Sequence, residues 1–309
     1  MGKVSFLFTG QSSQYVGMGK SLYEGLPICR ELFDRADEIM ERSVRDICFA
    51  GPAETLNMTE NTQPCILTTE YAAYAALTEQ GIRPDAMAGF SLGEYGALAA
   101  AGVFSFEDSL KIIKIRAKAM QEAVPVGQGA MVAVMGDDAE RAVAISEETE
   151  GYVVVSNRNS PSRLIFAGEI KATEAFQKRL DAEGIRNKVI PVSIPSHCRL
   201  MAPAQKALDA AFAATKLSSP GVDFYMNATG DKESAVENIR ENMVNQLCVA
   251  VQCEKILRNM VRDGVDTFVE LGPKTMYSKF AGEIAPAARL LHVEDMESLQ
   301  ETVRALREE

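Results

Sequence analysis

A break in an otherwise regular alternation constrains this chain most. Residues 3–9 read as a strand, rich in β-formers and ending at Gly10. Helical stretches follow at 27–44 and 63–80, the first carrying Leu32, Phe33, Ala36 and Met40 at helical spacing. Residues 86–90 form a short apolar run suited to a buried parallel strand, and 92–101 and 107–123 read as helices. Further strands are expected at 223–227, 267–271 and 289–293. Such alternation implies a parallel sheet covered by helices. The middle breaks the rule. A strand at 129–135, a helix at 137–148 with Asp137 as N-cap, and strands at 152–157 and 163–168 come in turn. The two strands are separated by the turn-rich Arg158-Asn159-Ser160-Pro161-Ser162, and a helix at 171–182 and a strand at 185–192 complete the unit. The order β-α-β-β-α-β is the ferredoxin-like pattern. The expected architecture is therefore α/β, with a large domain at 1–126 and 193–309 split by a ferredoxin-like small domain at 127–192.

Charge narrows the function classes. The chain has 32 basic and 43 acidic residues, a net charge of −11. A nucleic-acid binder usually presents a basic face, so that class and polybasic membrane binding are not expected. No apolar stretch approaches the length of a membrane span, and the N-terminal run reads as a strand, not a signal peptide. The six cysteines are Cys29, Cys48, Cys65, Cys198, Cys248 and Cys253. None forms a C-x-x-C pair, and there are only two histidines. No metal site is expected, and the thiols read as reduced in a cytoplasmic protein.

Gly89-Phe90-Ser91-Leu92-Gly93 is a G-x-S-x-G pentapeptide. An apolar run precedes it and a helical run follows, the setting a nucleophile elbow requires. The glycines allow a sharp turn, and Ser91 would stand at a helix N-terminus, where N–H groups can stabilise an oxyanion. A Gly-flanked turn with a capping serine is the plainer reading. A serine nucleophile needs a base, and His197 and His292 are the only imidazoles. His197 lies in a loop after an apolar strand, where α/β folds place their sites. His292 lies inside the strand 289–293, two residues before Glu294, and reads as structural. No acidic residue near His197 in the sequence offers itself as a third member, so a backbone carbonyl would have to orient the ring.

Arg116 is out of place on its helix. Lys111, Lys114 and Lys118 share one stripe, whereas Arg116 falls about 140° from Lys111, among Ile112, Ile113, Ala119 and Met120. A guanidinium there must be paired. An internal salt bridge or a snorkelling side chain is one solution. A carboxylate brought by the substrate is the other, since the planar fork suits bidentate binding.

Several ordered segments together carry a family resemblance. They are Phe8-Thr9-Gly10-Gln11-Ser12-Ser13-Gln14, Thr62-Gln63-Pro64, residues 89–95, Arg116 with Met120, residues 157–161 and 192–201, Asn227-Ala228-Thr229-Gly230, Gln246-Leu247 and Glu270-Leu271-Gly272-Pro273. Over nearly its whole length the chain resembles the malonyl-CoA:acyl-carrier-protein transacylases. The resemblance implies a hydrolase-like parallel-sheet domain with an inserted ferredoxin-like small domain. It makes Ser91 the nucleophile and His197 the general base and acid. Gln11 and Leu92 would supply oxyanion N–H donors, and Arg116 would hold the malonyl carboxylate. Gln246 would orient His197 through its main-chain carbonyl. The partners implied are malonyl-CoA and an acyl carrier protein, whose phosphopantetheine thiol takes the acyl group. No cofactor is implied, and the protein is expected to be a cytoplasmic monomer. The same elbow would serve a free-standing acyltransferase of a polyketide assembly line, or a serine thioesterase or hydrolase. An anion clamp has no use in a general esterase.

The chain also departs from the family pattern. Phe90 stands where the family usually has His, and with Ser196 it is a candidate for acyl selectivity. Ser12 replaces a family glycine and would be strained if that backbone needs a positive φ. Cys253 and Lys274 replace a Trp and a Gly, and read as changes of packing and surface. The stripe of Lys111, Lys114 and Lys118 is either a docking patch for an acidic carrier or a solvated helix face.

Overall fold

The structure is a computed structural model, which describes residues 2–125, 127–190 and 194–308. Its strands are β1 (Lys3–Phe8), β2 (Ala86–Gly89), β3 (Gly129–Met135), β4 (Val153–Ser160), β5 (Arg163–Glu169), β6 (Asn187–Ile190), β7 (Asp223–Phe224), β8 (Val265–Leu271) and β9 (Arg289–Val293). Among the described residues they form two sheets. The larger is parallel throughout, in the order β7-β2-β1-β8-β9. A parallel sheet is covered on both faces, which is why Phe6, Leu7 and Phe8 of the central strand are all fully buried. Their alternation divides them between two cores. Phe6 and Phe8 join the helices Thr59–Glu79, Gly93–Ala100 and Phe106–Ala123. Leu7 joins Phe268 and the helices Cys253–Arg262 and Met276–Ile284 on the other side.

The smaller sheet is antiparallel, in the order β4-β5-β3-β6. With the helices Ala139–Glu148 and Ile170–Ala182 it is the ferredoxin-like unit expected from the sequence. The helices cover one face, where Phe166 and Phe176 pack with ring centroids 4.7 Å apart. The other face, with Met131, Ala133 and Ile165, turns toward the larger unit. Hydrogen-bonded seams join the units. Val251 pairs with β4, donating to the Ser156 carbonyl and accepting from the Arg158 N–H. The Glu283 carboxylate accepts from Ser160 Oγ, Ser162 N and Ser162 Oγ at 2.7–2.9 Å.

Boundaries shift where local chemistry overrides periodicity. The helix expected over 27–44 ends at Met40, because Glu41 turns left-handed at φ 54°. Asp138, not Asp137, is the N-cap of the helix Ala139–Glu148. Strand β4 runs on to Ser160, which pairs with Arg163, so the expected loop shrinks to a tight turn. The strand expected at 223–227 pairs over only two residues. The helix Thr59–Glu79 tolerates Pro64 inside it. The Glu60 carbonyl, left without its helical donor, accepts from Arg42 Nη2 at 3.0 Å. The expected crossings between the two units fall at 126 and 191–193, outside the described residues, as does the end of the strand expected at 185–192. Among the described residues no helix is long and apolar enough to cross a membrane.

Candidate active site

The site forms at the carboxyl ends of the parallel strands, where α/β sheets place theirs. Strand β2 ends at Gly89, and the chain turns through Phe90 and Ser91 into the helix Gly93–Ala100. The turn is so tight that a Cβ on Gly89 would lie 2.0 Å from the carbonyl carbon of Gly93. A Cβ on Gly93 would lie 2.2 Å from the Thr9 carbonyl oxygen. Glycine is therefore required at both positions. Between them Ser91 adopts φ 54°, a left-handed conformation costly for a residue with a Cβ. The pentapeptide thus has the strand–turn–helix geometry of a nucleophile elbow.

His197 also has a positive φ, 59°, and is 3% exposed. Its Nε2 lies 2.7 Å from Ser91 Oγ, and its Nδ1 lies 2.8 Å from the main-chain carbonyl of Gln246. A carbonyl only accepts, so the proton sits on Nδ1 and Nε2 is left free to accept from the serine. Burial pushes the imidazole pKa down to about 4; the Gln246 carbonyl opposes this and the Arg116 charge adds to it. The ring is thus neutral, in the base form, at pH 7. His292 does not line the cavity at Ser91; it lies in β9 with its Nε2 3.9 Å from Glu294.

Arg116 reaches the same point. The helix Phe106–Ala123, capped by the Ser105 side chain on the Asp108 N–H, buries it to 1% exposure. Its Nη2 donates to Ser91 Oγ at 3.2 Å and to Gln246 Oε1 at 3.3 Å, and the guanidinium lies 5.2 Å from the Tyr95 ring centroid. Its Nε has no partner, and among the described residues it forms no ion pair. The internal salt bridge weighed for this residue is not what the structure holds. The stripe on the outer face of the same helix is fully engaged. Lys111 pairs with Asp108, Lys114 with Glu41 and Lys118 with Glu122, as a solvated face would.

A cavity of about 420 Å³ opens over these groups. Gln11, Phe90, Ser91, Arg116, Ser196 and His197 line it from the large unit, and Met131, Asn157, Asn159, Arg163 and Lys188 from the small one. Gln11 follows β1 into the loop beside the elbow. Leu92 caps the helix Gly93–Ala100, so its N–H has no helical acceptor. Ser12 has φ 83°, and its N–H donates to Gln14 Oε1 at 2.8 Å. The loop thus does take the left-handed turn that suits glycine, with serine in its place. Phe90 is 8% exposed and packs edge-on against Tyr277, centroids 5.8 Å apart, and against Phe280. Ser196 Oγ points to Met131 Sδ at 3.8 Å. A second cavity adjoins the first and carries Arg163, Arg186, Lys274 and Lys279, with Glu283.

Two residues that the sequence left without a role, though both lie in segments that carry the resemblance, hold this geometry. Asn227 accepts from the Ser91 N–H at 2.7 Å and donates to the Gly89 carbonyl at 2.6 Å, pinning the elbow. Glu94, fully buried three residues after Ser91, accepts from Asn227 N and Gln246 Nε2. Burial raises its pKa to about 7, against the opposing effect of those hydrogen bonds and of Arg116. A signal lay in its place as the only charge in the helix Gly93–Ala100.

This arrangement suits acyl transfer through a serine ester, with an anionic group on the acyl chain held by Arg116. The comparisons with known proteins agree. The sequence pattern of the family described as "Acyl transferase domain" matches residues 5–300. The malonyl CoA-acyl carrier protein transacylase of Bacillus subtilis strain 168 is 37% identical, over 100% of this chain and 99% of that protein. Its counterpart in Escherichia coli K12 is 40% identical, over 88% and 90%. Among solved structures, one of a malonyl-transacylase in complex with its type II polyketide acyl-carrier protein superposes with a TM-score of 0.95. That match has 32% identity and covers 98% of this chain and 99% of that one. With Ser91, His197 and the buried Arg116 converging in one cavity, and this similarity along its full length, the chain belongs to the acyl transferase domain family.

Proposed function

We propose that the protein transfers a malonyl group from malonyl-CoA to the phosphopantetheine thiol of an acyl carrier protein, through a malonyl ester on Ser91. The observation that carries this reading is the unpaired, buried Arg116, one hydrogen bond from the nucleophile. A neutral acyl group would leave that charge without a direct ion pair, whereas a malonyl carboxylate supplies one.

The steps balance without an external acid, oxidant or metal, because one thioester is exchanged for another. Ser91 gives its proton to His197 Nε2 as Oγ attacks the thioester carbonyl. The N–H groups of Gln11 and Leu92 receive the oxyanion. The C–S bond breaks, and coenzyme A leaves with the proton from His197. The carrier thiol then returns a proton to His197 and attacks the ester, and Ser91 leaves as the restored hydroxyl. Neutral His197 is ready for the first step at pH 7. The malonyl carboxylate, by offsetting the Arg116 charge, eases formation of the imidazolium. The basic cleft of Arg163, Arg186, Lys274 and Lys279 adjoins the first cavity, with Arg163 and Met276 in the lining of both, and suits anionic phosphates in a chain whose net charge is −11.

The test is intact mass after incubation with a panel of acyl-CoAs, followed by addition of phosphopantetheinylated carrier protein. A malonyl adduct that transfers to the carrier is the expected result. An adduct that is hydrolysed as fast without carrier points to a thioesterase, and no adduct refutes the reading.

A further inference from the structure

The histidine of this site has no carboxylate against it, yet a buried carboxylate lies one residue away. Glu94 Oε1 accepts from the Asn227 main-chain N–H at 2.7 Å, and Oε2 accepts from Gln246 Nε2. Each of these partners has a second task. Asn227 holds the elbow by the Ser91 N–H and the Gly89 carbonyl. Gln246 holds it by the Ser91 carbonyl at 2.9 Å, and holds the base by its own main-chain carbonyl on His197 Nδ1. Nucleophile and base come from segments 106 residues apart, and both sit on strained backbone. Their register therefore depends on what ties the two segments together. Two donors converge on Glu94 from opposite sides. Ionised, the carboxylate accepts both, whereas an amide of the same shape accepts only one and turns its NH₂ against the other donor.

We propose that Glu94 is the positioning acid of this site, setting Ser91 and His197 in register through Asn227 and Gln246. It does for the pair what the acid of a Ser–His–Asp triad does for its histidine, displaced by one residue and acting on both partners. This deepens the acyl-transfer reading and rests on it for the identity of the substrate, but the positioning role is read at the serine itself.

The experiment compares wild type and Glu94→Gln in two reactions, with melting temperature as the control for folding. One is inactivation by a serine-directed sulfonyl fluoride, which uses Ser91 and His197 but carries no carboxylate for Arg116. The other is malonyl transfer. A misplaced base costs about 10²-fold, so both rates in folded Glu94→Gln should fall by about that factor, and the fall in malonyl transfer should lie in kcat more than in KM, because Arg116 is carried by its own buried helix and keeps its bond to Ser91 even where Gln246 Oε1, its other acceptor, shifts. Should Glu94→Gln not fold, Glu94→Asp, which keeps two acceptors but is one methylene shorter, is read in the same way. A folded variant that reacts with the sulfonyl fluoride at the wild-type rate overturns the proposal, whatever happens to malonyl transfer. If wild type reacts with the sulfonyl fluoride but takes no malonyl group, the substrate assignment fails, and the sulfonyl fluoride arm still decides the role of Glu94.

Discussion

Ser91 and His197 meet at 2.7 Å with both residues in the left-handed region, φ 54° and 59°. The strain at Ser91 follows from the elbow, which lifts the hydroxyl out of the strand into the cavity. Strain held at a reacting residue is offset elsewhere, here by Asn227 and Gln246 on its main chain. Replacing the serine by glycine or by alanine removes the nucleophile in both cases, but only glycine relieves the backbone. Ser91→Gly should therefore be more stable than Ser91→Ala by about 1 kcal/mol, with neither forming an acyl adduct. Urea denaturation of the two variants checks this, and equal stability would show that the turn carries no conformational cost.

Arg116→Ala tests the clamp. Losing a desolvated partner for the substrate carboxylate costs about 3–5 kcal/mol, which should appear as a fall of 10²-fold or more in kcat/KM for malonyl-CoA. Transfer of acetyl and other uncharged groups should be kept or improved, since no buried charge is then left unpaired. Undiminished malonyl transfer in this variant would end the carboxylate role.

What was legible before the structure divides along a physical line. The elbow is a local device, so five consecutive residues and their flanking pattern reveal it. Arg116 shows itself through periodicity, as a charge on the wrong face of one helix. His197 is reached by elimination, with two imidazoles to choose from. The ferredoxin-like unit shows because its order of elements departs from the rest. Asn227 and Glu94 belong to another class. Asn227 meets Ser91 from 136 residues away, and nothing in its neighbours says which polar side chain will turn inward. Glu94 stands beside the motif, but its partners come from two segments distant in sequence, around Asn227 and Gln246. The lysine stripe shows the converse limit. The pattern places three cations together, but their neutralisation involves Glu41, 73 residues from Lys114, which no helical wheel includes.

Phe90 is the departure from the family pattern with the clearest consequence. Its ring fills an aromatic corner with Tyr277 and Phe280 and presses on Gly10, where a Cβ would come within 2.6 Å of it. A histidine there would bring ring nitrogens into apolar surroundings, at about 1–3 kcal/mol. Phe90→His should lower Tm by a few degrees and change the ratio of rates with malonyl- and methylmalonyl-CoA, because the ring lines the cavity beside the nucleophile. Thermal melts and paired initial rates measure the two effects separately. An unchanged ratio would leave Phe90 a packing residue only.

His197 and Glu94 pull the pH dependence of stability in opposite directions. His197 is lowered from 6.5 to about 4, so between those values the unfolded chain binds more protons than the folded one. Its contribution to stability is complete above pH 6.5 and is lost as pH falls through 4, by about 3 kcal/mol in all. Glu94 is raised from 4.5 to about 7, so over that range the folded chain binds more protons. Its contribution is complete below pH 4.5 and is lost as pH rises through 7, by a similar amount. Between 4.5 and 6.5 the two slopes cancel, and replacing either residue uncovers the other. His197→Ala should gain on wild type as pH falls from 6.5 to 4, while Glu94→Gln should gain on it as pH rises from 4.5 to 7. Urea unfolding of the three proteins at pH 4, 5.5 and 7.5 reads the differences directly. If both variants drift the same way with pH, the two groups do not carry the opposed shifts that their burial imposes.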